Sequence, residues 1–149
     1  MAEQKFAKYV APIPFHKTPA GPLFGVGAKD LGGLKLHVIY ACGYNTGITG
    51  MSRKPHVHKY DEAVFFIGTD PQHLDELGAE VEISIGELGK EEKYTFDKPF
   101  VLIAPAGLWH CPIVTNKIDR PYVCMAVSLT GEREDDPPPP PPKKNEEGK

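Results

Sequence analysis

His56-Val57-His58 sets two imidazoles two residues apart. On an extended chain, side chains two apart project from one face, so both rings can reach one ion, whereas on a helix they would diverge. Glu62 follows four residues after His58 and keeps that parity on a continuous strand; Asp61 then points the other way. The apolar run at 63–67 begins directly after Glu62 and fixes its base in the core. His110 adds a fourth donor from a later strand, after the turn Pro105-Ala106-Gly107, where proline and glycine set the backbone for a return across the molecule. Three neutral imidazoles and one carboxylate suit Fe(II), Mn(II), Ni(II), Zn(II) or Co(II) and leave open positions on a six-coordinate ion. Open positions admit substrate, water or dioxygen.

Other chemistry-bearing residues are weaker signals. Arg53 and Lys54 stand just before the first histidine, where a cation could hold an anionic substrate or simply be solvated. Tyr44, Tyr60, Phe66 and Trp109 are candidates to line a cavity or to fill the core; Arg53, Tyr60, Phe66 and Trp109 are carried forward as substrate contacts. Cys111 follows His110 directly, and alternation on a strand turns it away from the ion. His16, His37 and His73 read as surface or internally satisfied polar residues. Gly25-Val26-Gly27 begins like a dinucleotide loop, but Asp30 stands where the third glycine belongs, so no nucleotide cofactor is expected.

The elements that must position these residues are short. Apolar runs bounded by Gly, Asp, Asn and Pro occupy 34–41, 62–68, 79–85, 91–96, 100–104 and 122–129, the pattern of an all-β sandwich or barrel. The run at 79–85 alternates apolar and polar residues strictly, which predicts a strand with one wet face. Val64-Phe65-Phe66-Ile67 and Phe100-Val101-Leu102-Ile103 are apolar on both faces, as strands covered on two sides would be, and a homodimer is expected from them. Only 71–78 could hold a helical turn, with Asp70 as cap and Gly78 as stop. Prolines 12, 14, 19 and 22 make the start of the chain an extended arm and edge strand. The domain reading is an arm with edge strands at 1–33, a barrel at 34–130 and a disordered tail at 131–149. The six prolines from 137 to 142 favour polyproline II, a form that aromatic-lined grooves bind weakly.

Composition bounds the rest. A chain of 149 residues, 40% apolar, builds one core, and a formal charge of -3 with no basic block argues against nucleic acid as a partner. No stretch is long and apolar enough to span a bilayer and the start lacks a secretory core, so a cytoplasmic protein without membrane contact is expected. The three cysteines, Cys42, Cys111 and Cys124, form neither a CxxC pair nor a disulfide framework.

Taken together the residues resemble the cupin superfamily. Its first motif, G(X)5HXH(X)3,4E(X)6G, is reproduced by Gly50, His56, His58, Glu62 and Gly68, with five residues rather than six before the last glycine. Its second, G(X)5PXG(X)2H(X)3N, is matched by Pro105, Gly107 and His110, while Pro99 and Val114 replace the outer glycine and asparagine. The resemblance implies a double-stranded β-helix, or jelly-roll barrel, with His56, His58, Glu62 and His110 as metal ligands. It further implies a metal-dependent enzyme acting on a small oxygen-rich substrate, by dioxygenase or by decarboxylase or isomerase chemistry. The alternative it leaves open is a non-catalytic module that binds metal and a small ligand.

Overall fold

The structure is a computed structural model that describes residues 5–18, 21–50 and 52–131. The regular structure of the described chain is almost wholly strand: β1 (Phe15–Thr18), β2 (Gly21–Val26), β3 (His37–Gly43), β4 (Gly47–Thr49), β5 (Glu62–Gly68), β6 (Ala79–Gly86), β7 (Glu92–Phe96), β8 (Phe100–Ala104), β9 (Trp109–Ile118) and β10 (Tyr122–Ser128), preceded by a 3-10 turn at Ala7–Tyr9. They form a six-stranded sheet in the order β1-β2-β3-β10-β5-β8 and a four-stranded sheet in the order β4-β9-β6-β7. Every pairing of these strands is antiparallel. Among the described residues no helix is long and apolar enough to cross a membrane.

The core lies between the sheets. Val64, Phe66 and Leu102 from the larger sheet meet Val81, Ile83 and Ile113 from the smaller, with Leu77 and Tyr122 buried beside them. The alternation at 79–85 becomes β6, whose Ala79, Val81 and Ile83 are buried. On β5 and β8 only one of the two apolar faces meets the core: Val64, Phe66, Leu102 and Ala104 are buried, whereas Ile67, Val101 and Ile103 are exposed, Ile103 by 67%.

Tyr122 sets a local constraint. On β10 it lies between Gly43 of β3 and Gly68 of β5. A Cβ at position 43 would overlap the Tyr122 ring, and one at position 68 would overlap the Glu76 carbonyl oxygen. Its hydroxyl closes a buried cluster with Thr115 Oγ1 at 2.7 Å and Thr49 Oγ1 at 3.1 Å, the two threonine oxygens being 2.6 Å apart. Both sheets are thus tied together at that point by hydroxyls that satisfy one another.

One expectation is corrected. Residues 71–78 hold two successive turns rather than a helical turn. Asp70 does accept the Gln72 amide at 3.0 Å, but the Leu77 amide donates to the Asp97 carbonyl across the molecule, and the chain leaves the helical path to bury Leu77. The strand expected to carry His110 is β9, which lies between β4 and β6 in the smaller sheet. Of the arm expected over 1–33, β1 forms the sheet edge and β2 carries the buried Leu23. The polyproline run lies outside the described residues.

Candidate metal centre

The four predicted donors converge. One ligand atom from each of His56, His58, Glu62 and His110 lies within 4.8 Å of the others, and all four residues are buried. Two donors about 2.1 Å from one ion stand at most about 4.2 Å apart, so the group closes on an ion by shifts below about 1 Å.

Each donor is held by its backbone. His56 and His110 exchange both amide hydrogen bonds at 3.0 Å, forming an isolated antiparallel bridge. The chain between them and Glu62 is not a continuous strand but bends at Lys59 and Tyr60, so strand parity is not what aligns His58 with Glu62. The turn after β8 does that work instead. The Gly107 amide donates to the His58 carbonyl and the Ala106 amide to the Asp61 carboxylate, each at 2.9 Å. Asp61, which offers no atom to the donor group, therefore clasps the turn that leads to His110. Glu62 opens β5 opposite Ser128 of β10, whose hydroxyl donates to Oε2 at 2.7 Å.

These contacts leave the donor atoms aimed inward. His110 Nδ1 donates to the Leu108 carbonyl at 2.9 Å, which fixes the tautomer whose lone pair is on Nε2. That Nε2 is buried without a hydrogen-bond partner and lies 3.4 Å from Glu62 Oε1, while His58 Nε2 is 3.7 Å from the same oxygen. A buried imidazole lone pair in this position fits an ion. Burial pushes the Glu62 carboxyl up, but the facing His110 imidazole, the hydrogen bond from Ser128 and the nearby His58 imidazole outweigh it and hold the group down at about 2. Glu62 is therefore held as an anion. Tyr60 stacks flat on His58, with ring centroids 4.6 Å apart.

His56 and Glu62 form one wall of a cavity of about 90 Å³ between the sheets. The remaining lining is mainly apolar, from β2, β3, β5, β9 and β10, with Thr49 and Ser52 as neutral polar groups. Cys111 lines it too, contrary to the alternation argument. Between the pairs Ile83–Ile113 and Ile85–His110, β6 has one residue and β9 has two, Cys111 and Pro112. This bulge, with Cys111 at φ 75°, turns His110 and Cys111 inward together. The donor group nonetheless contains no cysteine. Cys124 faces the same cavity, and burial with the nearby Glu62 charge pushes its thiol up to about 12.

The other sequence candidates are dispersed. Arg53 and Lys54 are exposed and Tyr44 is 52% exposed; none of the three lines this cavity. Phe66 packs in the core, stacked on Phe100 at 4.2 Å, and Trp109 is half-buried opposite Gly86. His73 is exposed and pairs with Asp70 at 3.0 Å. Asp61, Ser128 and Cys124 had no motif to mark them, although Ser128 is the one polar residue in the run 122–129.

No protein-family model matches the chain, and no curated protein matches it in sequence. Solved structures do match. A deletion mutant of Bacillus subtilis oxalate decarboxylase superposes with a TM-score of 0.58 at 16% identity over 83% of this chain and 29% of that one. The same enzyme at pH 4.6 gives 0.57 at 16% identity over 83% and 28%. A structure of it described by its Mn(II) centres gives 0.56 at 16% identity over 84% and 31%. The chain thus spans less than a third of the length of these neighbours. With its two antiparallel sheets and its buried His-His-Glu-His group, the chain is a cupin-type β-sandwich.

Proposed function

We propose that the chain is a divalent-metal-dependent enzyme acting on a small oxygen-bearing organic substrate, with decarboxylase chemistry as the leading form. The observation that carries the reading is the convergence of four buried donors, one of them an imidazole nitrogen with its lone pair directed into the group. A bound ion would supply Lewis acidity, polarising a carbonyl or carboxylate oxygen of the substrate. His56, His58 and His110 would hold it as neutral donors and Glu62 as the anionic one. Ser128 and the Leu108 carbonyl orient Glu62 and His110, and the apolar cavity walls limit water around a coordinated substrate. The fold likeness to a decarboxylase with Mn(II) centres supports Mn(II) as the first metal to try.

The test is protein loaded in turn with Mn(II), Fe(II), Co(II), Ni(II) or Zn(II) and assayed against small keto and hydroxy acids for carbon dioxide release and oxygen uptake. Carbon dioxide release without oxygen consumption is expected. Oxygen uptake would move the reading to a dioxygenase, and metal loading without turnover of any acid would favour a non-catalytic binding module.

We also propose that the chain works as a homodimer joined through the outer face of the six-stranded sheet. The register places Phe15, Phe24, Tyr40, Met125, Phe65 and Val101 in one row across all six strands. Val26, Val38, Val127, Ala63 and Ile103 form the next row on five of them. Neither row contains a charged side chain, in a chain that is 25% charged. Five strand spacings by strands of up to seven residues give a face of about 24 by 20 Å. Side-chain relief raises its accessible area toward the roughly 800 Å² per partner of a standard interface. A second copy offers the same flat apolar face at equal concentration, and two such faces pack as a sandwich.

A further inference from the structure

We infer that the metal site takes a substrate with one anionic, oxygen-bearing end and a short aliphatic remainder, rather than a dicarboxylate. This rests on the metal-enzyme reading above and narrows it.

Three observations converge on that class. First, the wall beyond His56 and Glu62 is built from Leu23, Ile39, Ala41, Val64, Ile113 and Ala126, and no lysine or arginine is among the described residues lining the cavity. A second carboxylate turned toward that wall would be desolvated with no cation to meet it, which is strongly unfavourable. Secondly, the hydroxyl of Thr49 in the lining is engaged with Thr115 and Tyr122. Three hydroxyls so placed can close a ring in which each donates once, so Thr49 then presents a lone pair to the cavity and no proton to stabilise an anion. Thirdly, the charges balance for a monoanion. Three neutral imidazoles, one carboxylate and a divalent ion sum to one positive charge, which a single carboxylate neutralises and a dianion reverses.

Size agrees. A cavity of about 90 Å³ is smaller than the roughly 150 Å³ that takes a benzene ring, which favours a small aliphatic acid over a sugar or an aromatic.

The experiment compares 2-oxobutyrate with malonate, two acids of equal non-hydrogen atom count that differ in charge and in their far end, with oxalate as a third arm. Metal content of the full-length protein is fixed first by mass spectrometry, and dissociation constants are then measured by calorimetry on metal-loaded and metal-free protein. Binding of 2-oxobutyrate at least tenfold tighter than malonate or oxalate, lost in the metal-free protein, is expected. Ile39→Lys, which sets an amine against the aliphatic end, should narrow or invert that ratio. Malonate or oxalate binding as tightly as 2-oxobutyrate, or no acid binding to metal-loaded protein, overturns the inference and leaves the metal reading standing. Failure to load any metal removes both.

Discussion

The six-stranded sheet has two faces made from the same strands, and they are put to different uses. On β5, Glu62, Val64 and Phe66 point inward to the donors, the cavity and the core, while Ala63, Phe65 and Ile67 point outward. Both sets are mostly apolar, so hydropathy alone does not separate them. What separates them is the second sheet, which covers the inner face and turns a strand surface into a place where a buried carboxylate and three imidazoles can be held. The outer face has equal apolar character and no second layer among the described residues. One face is therefore built for packing and chemistry, and the other is suited to a partner.

The largest test of that contrast substitutes neighbours on one strand. Phe66→Ala should lower the unfolding free energy by about 3–5 kcal/mol in denaturant titrations, as loss of a buried ring does. Phe65→Ala, measured at protein concentrations too low for association, should cost less than half of that. Equal costs would mean that the outer face is packed within the single chain. Next in size is the outer face in association. Placing glutamates at Phe65 and Met125 should weaken the dimer at least a hundredfold in sedimentation, about 2.7 kcal/mol, with metal content unchanged. A parent protein that is monomeric at tens of micromolar would remove the dimer from the comparison.

On the inner face, His58→Ala should lower metal occupancy tenfold or more at matched protein concentration, while the exposed His73→Ala leaves it unaltered. Equal loss in both variants would bring a histidine now placed at the surface into the site.

The smallest effect is the one of pH. Glu62, held at about 2 in the folded chain against 4.5 ordinarily, contributes stability that is complete above about 4.5 and is lost only as pH falls toward 2. Loss of metal at milder pH must then come from the imidazoles, which bind an ion only when neutral. The gap in melting temperature between loaded and metal-free protein, roughly 2.7 kcal/mol in stability at a hundred times the dissociation constant, should be clear at pH 7.5 and shrink at pH 5.5. A pH-independent gap would show that histidines do not govern the site.

The sequence made some of this legible and hid the rest for physical reasons. β5 and β8 match their apolar runs residue for residue, because Gly, Asp and Pro bound them sharply. β9 was expected as a strand at His110, but its full extent was hidden. Pro112 and the polar Thr115, Asn116 and Lys117 break its pattern, and a central strand tolerates that proline because it falls at the bulge. β4 is three residues long and too short to show a period. The four donors were visible as spacing, yet the reason they meet was not, since the Asp61 clasp and the Ser128 hydrogen bond join residues 45 and 66 positions apart.

Gly43 carries a consequence for how this sequence can drift. Because any side chain at position 43 would occupy the space of the Tyr122 ring, position 43 is not free to change while that ring is in place. Tyr122→Phe does not relieve the overlap, since ring carbons as well as the hydroxyl fill the space. In a saturation library position 43 should therefore tolerate no residue but glycine, and alanine there should become viable only alongside a small residue at 122. That second change would also dismantle the hydroxyl cluster with Thr49 and Thr115. The two positions form an epistatic pair, and a drifting lineage would have to cross a poorly folded intermediate to exchange them.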